Sequence, residues 1–125
     1  MPDAEPAVLD KTVLAELQAT TGDDLAFVRE LVETYLADVP IQLEGIADAI
    51  GADDAAALVR PAHTLKSSSA TVGAMRLAGV ARELEMTGRS GTLDAGGRDG
   101  LERARAEWRA ASEVLQTWLA GNVSR

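Results

Sequence analysis

The chain has 125 residues, a formal net charge of −8, 46% apolar residues, 3% aromatics and no cysteine. That length suits one domain burying about two-thirds of its unfolded surface, and the apolar share excludes wholesale disorder. The negative charge argues against nucleic-acid backbones and anionic membranes, which need Lys/Arg stripes, and the lack of cysteine excludes disulfides, thiolate metal sites and thiol catalysis.

With few aromatics, the core must rest on Leu, Val, Ile and Ala, a composition that favours helices over sheets. The start, MPDAEPAVLD, has neither the basic residues nor the apolar run of a signal peptide. No stretch approaches the ~20 apolar residues of a membrane span. The expected setting is the cytoplasm.

Residues 1–7, with two prolines and two acids, read as a flexible tail ahead of a domain over 8–121, with a C-terminal tail at 122–125. A short helix is predicted from Asp10, its N-cap, to Thr20, with Val13, Leu14 and Leu17 inward and Gly22 ending it. A long helix follows from Asp23 to Ile50. Leu25, Val28, Val32, Leu36, Val39, Leu43, Ile46 and Ile50 recur at three- and four-residue steps, the pattern of one buried stripe. At ~1.5 Å per residue it spans about 40 Å. Pro40 is expected to kink it and Gly51 to stop it.

The third helix is predicted from Asp53 to Val72, with Leu58, Ala62, Leu65, Ser69 and Val72 inward, a bend at Pro61 and Gly73 closing it. The fourth covers Ala74 to Thr87 and buries Leu77, Val80, Ala81 and Leu84. The stretch from Gly88 to Gly100, rich in glycine and polar residues, reads as a loop. The last helix, Leu101 to Leu119, buries Leu101, Ala104, Trp108, Ala111, Leu115 and Trp118. The prediction is an all-α antiparallel four-helix bundle with a short additional N-terminal helix. Short connections favour a monomer over a coiled-coil dimer.

Most reaction classes fail for want of residues. Zinc and iron sites recruit several His or Cys, and this chain has one His and no Cys. No Glu-x-x-His pair of the di-iron type occurs, and no glycine-rich phosphate cradle follows a strand. A Ser–His–acid triad could draw on Ser67, Ser68 or Ser69, but serines in a helix interior are poorly placed for a substrate. Beyond these serines, a hydrolase or carboxylate-metal reading has only Glu83 and Glu85 to draw on.

The segment RPAHTLKSSSATVGA, residues 60–74, is where chemistry concentrates. At about 100° per residue, Leu58, Leu65, Ser69 and Val72 oppose His63, while Val59, Lys66, Ser67 and Ala70 fall within about 60° of it. The imidazole is therefore predicted to point outwards, with an ammonium one turn on and small side chains alongside. A neutral imidazole offers a nitrogen lone pair, lysine offers charge for phosphate oxygens, and small neighbours admit another protein. Spacing alone leaves the plain readings open: a surface histidine, a close-packed serine run and a solvated lysine.

Residues 62–74, AHTLKSSSATVGA, resemble the signature of histidine-containing phosphotransfer (HPt) domains of two-component phosphorelays, a pattern of the type A-H-x-L-K-G-x-[SA]-x-x-x-G-A. Ala62, His63, Leu65, Lys66, Ser69, Gly73 and Ala74 match in register, and Ser67 replaces the frequent glycine. LDKTVLAELQATTGDD resembles the leading helix and turn, YLADVPIQL the proline-bearing stretch of the long helix, and ARELE at 81–85 the fourth-helix pattern, so the likeness covers residues 8–120.

The resemblance implies that His63 accepts a phosphoryl group, that Lys66 neutralises it, and that Glu85 orients the imidazole. It implies docking through Val59, Thr64, Ser67, Ala70 and Ala74 to response-regulator receiver domains and to a hybrid histidine kinase, with Mg²⁺ on the receiver and no cofactor or nucleotide site here. Two rivals are the phosphorylated domain of a chemotaxis-type kinase, which has a similar His-x-x-Lys segment, and a bundle that docks receivers without carrying phosphate.

Overall fold

The computed structural model describes residues 7–122; of the expected tails at 1–7 and 122–125, residues 1–6 and 123–125 lie outside the described residues. Five helices and no strand occur among the described residues: α1 Lys11–Thr20, α2 Leu25–Gly51, α3 Ala55–Val72, α4 Met75–Arg89 and α5 Ala95–Gly121. Helices α2 to α5 pack each against the next, α2 closes the ring against α5, and α1 lies on α2 and α3. This is the predicted four-helix bundle with its leading helix.

Aspartate starts four of the five helices. Asp10, Asp24, Asp54 and Asp94 each accept a hydrogen bond from a backbone N–H of the first turn, satisfying a donor that the helix itself leaves free. Pro40 and Pro61 each lie inside a helix that continues through it. Pro61 is accommodated because Gly45 faces it: a Cβ on Gly45 would stand 3.3 Å from the Pro61 ring.

The inward face of α3 is as expected, with Leu58, Ala62, Leu65, Ser69 and Val72 all buried. On α2 the buried stripe includes Tyr35, whereas Leu36 is half-buried. Tyr35 meets Trp108 edge-on, ring centroids 5.7 Å apart. Trp108 and Trp118 are themselves half-buried at the rim of the core.

Glycine accounts for the largest difference from the sequence reading. The stretch 88–100 is not one loop: α4 runs on to Arg89 and α5 begins at Ala95. Gly88 sits inside α4 because a Cβ there would come within 2.9 Å of both the Ala55 carbonyl oxygen and Val59 Cγ2. Gly100 lets α5 settle on α4, since its Cβ would lie 2.6 Å from Leu84 Cδ2. Glycine costs a helix about 1 kcal/mol relative to alanine, and here close helix contact offsets that cost. Gly51 likewise ends α2 from within, and the chain reverses at Asp53, which has a φ of 52°.

Gly73 behaves as read, closing α3 in the left-handed conformation at φ 87°. Its carbonyl accepts from the Asp10 N–H at 2.7 Å, and a Cβ would stand 2.6 Å from the Asp10 carbonyl oxygen. The end of α3 is thereby joined to the start of α1.

Among the described residues, no helix is long and apolar enough to cross a membrane.

Candidate functional site

Helix α3 carries His63 two residues after Pro61 and one turn before Lys66, on the side away from the core. The imidazole is 53% exposed, as the helical projection predicts. Opposite it, α4 presents Glu85, whose side chain is only 6% exposed. A carboxylate this deep must be paired to remain charged, and three groups pair it.

The Glu85 Oε2 atom lies 3.1 Å from His63 Nδ1. The same oxygen accepts from Arg89 Nε at 3.0 Å and from Arg89 Nη2 at 2.7 Å. The other oxygen, Oε1, is met by the Lys66 ammonium at 2.8 Å. Lys66, then Arg89, pull the Glu85 carboxyl down from 4.5 to about 2, with His63 adding to them, against burial, which pushes upwards. Glu85 is therefore a carboxylate, which only accepts hydrogen bonds, and Nδ1 of His63 is the donor. In the neutral ring this leaves the lone pair on Nε2.

The second polar contact of α3 is on its other side. Tyr35 Oη and Ser69 Oγ lie 2.7 Å apart within the core, and burial pushes the Tyr35 hydroxyl up to about 12. Ser69 is thus a structural partner of Tyr35. Ser68 Oγ donates to the Leu65 carbonyl at 3.4 Å, and no hydrogen bond among the described residues links a serine to His63. Glu83 faces away from Glu85 and pairs with Arg103 at 2.9 Å, so these two acids do not share a site.

The expected docking residues divide. Thr64, Ser67 and Ala70 are exposed beside His63, and Val59 is half-buried against Gly88. Ala74 is a correction: it is fully buried in the core, since the left-handed turn at Gly73 takes the chain off the α3 surface and beneath α1. The open groove nearby, lined by Asp54, Val59, Gly88 and Arg89, does not include His63. The imidazole meets its surroundings on an open face.

Arg89 is the site residue that sequence reasoning missed. Ending α4 at Thr87 put it in a loop. The available signal was its spacing: four residues after Glu85, an acid–base pair of one helix turn.

Three comparisons bear on this geometry. The family model described as "Hpt domain" matches residues 30–118. No curated protein matches the chain. Among solved structures, histidine-containing phosphotransfer protein B (HptB) from Pseudomonas aeruginosa PAO1 is 31% identical, with a TM-score of 0.80 over 90% of this chain and 95% of that one. The HPT domain of an Hpt sensor hybrid histidine kinase from Shewanella is 17% identical, with a TM-score of 0.74 over 94% and 97%, a likeness of fold.

Proposed function

Because the chain belongs to the Hpt-domain family, we propose that His63 is the residue through which it carries a phosphoryl group. The domain is a phosphorelay intermediate, a carrier between partner proteins. Its partners in this reading are receiver domains of response regulators and of a hybrid histidine kinase, met by a monomer in the cytoplasm.

The observation that carries the assignment is the pairing of Nδ1 with Glu85 beneath an exposed ring. In the forward step, the Nε2 lone pair attacks the phosphorus of a receiver's aspartyl phosphate. The P–N bond forms as the P–O bond breaks, and that electron pair leaves on the aspartate carboxylate. No proton moves. The ring gains positive charge, which the Nδ1–H···Oε2 contact delocalises towards Glu85, and Lys66 meets the phosphoryl oxygens. Donation to a second receiver reverses each bond change.

Phosphoryl transfer of this kind depends on positioning and charge neutralisation more than on covalent help. The receiver brings the Mg²⁺, and no side chain here is assigned to it. The chain neither phosphorylates itself from a nucleotide nor hydrolyses the phosphoryl group efficiently. Thr64, Ser67, Ala70 and Val59 form the surface on which the receiver settles.

The test is His63→Gln incubated with a phosphorylated receiver. The variant folds as the parent does, because the ring is outside the core, and takes up no label. Retained labelling overturns the assignment.

A further inference from the structure

From the two-sided pairing of Glu85 we infer that its cations divide the work: Arg89 is a positioning residue that holds Glu85 against His63, and Lys66 is the cation released to the phosphoryl group. This inference deepens the phosphotransfer reading and rests on it for the destination of Lys66.

The geometry separates the two. Arg89 sends two N–H groups to one oxygen, Oε2, at 3.0 and 2.7 Å, and that oxygen is the one facing His63 Nδ1. A planar guanidinium used in this way fixes the orientation of what it binds as well as neutralising it. Lys66 meets the other oxygen, Oε1, through a single contact at 2.8 Å. It stands three residues from His63 on the same helix, and its side chain is one-third exposed. A flexible ammonium can swing from Oε1 to a group on Nε2 without disturbing Oε2. If Arg89 made that move, Oε2 would lose both of its directed donors from α4.

The consequence is asymmetric. Removing Lys66 leaves the Arg89–Glu85–His63 line intact, whereas removing Arg89 leaves Glu85 free to turn. The side chain of Arg89 is 60% exposed near the end of α4, so its loss leaves the core untouched.

The experiment is nitrogen NMR of the His63 ring in the unphosphorylated protein, for Arg89→Met, Arg89→Lys and Lys66→Met, with label transfer from a phosphorylated receiver measured alongside. In the parent and in Lys66→Met the neutral ring carries its proton on Nδ1. In Arg89→Met that preference is lost, and Arg89→Lys restores part of it. Transfer slows on the order of tenfold or more in both Met variants, the effect of one lost charge-assisted contact.

An Arg89→Met ring that keeps its proton on Nδ1, or a Lys66→Met ring that loses it equally, overturns the division. The ring measurement needs no phosphate. A parent that takes no label, with the ring shifting in Arg89→Met, contradicts the phosphotransfer reading and supports the positioning role. A labelled parent with an unshifted Arg89→Met contradicts the positioning role alone.

Discussion

Among the described residues, helix α3 makes polar contacts on two sides, and the two sides differ in every respect that matters. Inward, Tyr35 and Ser69 form one neutral hydrogen bond at 2.7 Å, sealed within the core. Outward, a single buried carboxylate gathers an imidazole, an ammonium and a guanidinium, all of which reach solvent. A neutral buried pair fixes how two helices sit against each other. A charged cluster with an exposed reactive ring exceeds any structural need, because a packed hydrophobic replacement is often as stable as a buried ion pair. In the proposed phosphotransfer, one side of the helix serves structure and the other chemistry.

The sharpest way to break the comparison is His63→Gln, for which label transfer is abolished while the thermal midpoint stays near that of the parent. A large loss of stability would show that the outward cluster is structural after all. Next in size is Glu85→Gln. It keeps the shape but loses the charge that steadies the ring as the P–N bond forms, an effect of about 1.5–3 kcal/mol on the transfer barrier, or roughly 10- to 150-fold in rate. Transfer at the parent rate would remove Glu85 from the mechanism.

Ser69→Ala tests the other side. It leaves the Tyr35 hydroxyl buried without a partner, lowers stability by about 1–3 kcal/mol in a denaturant titration, and leaves the transfer rate within twofold. A smaller and more diffuse effect is expected with acid. Glu85 is depressed in the folded protein from 4.5 to about 2, so its contribution to stability is complete above about 4.5 and is lost as pH falls through about 2. Melting curves across that window should show a steeper decline for the parent than for Glu85→Gln, and equal slopes would contradict the pairing.

These two sides were not equally legible in the sequence. The apolar face of α3 and the outward turn of His63 follow from 3.6-residue periodicity, because a side chain's direction on a regular helix depends on local geometry alone. The signature around His63 carried the family, and with it Lys66 and Glu85. Periodicity failed where glycine had two possible meanings. Gly88 and Gly100 read locally as helix breakers, but their roles depend on Val59, Ala55 and Leu84, residues on other helices. Losing the end of α4 hid Arg89, and with it the second cation on Glu85. Ala74, taken as a docking residue on the resemblance, is instead buried, because the left-handed turn at Gly73 carries the chain away from the exposed face of α3.

The central claim is that Glu85 occupies Nδ1 so that Nε2 alone receives the phosphoryl group, and phosphorus and nitrogen NMR of the labelled protein test it most directly. The account predicts one phosphohistidine, at His63, with phosphorus bonded to Nε2 and a proton still on Nδ1. Phosphorus on Nδ1, or on any other residue, would contradict it.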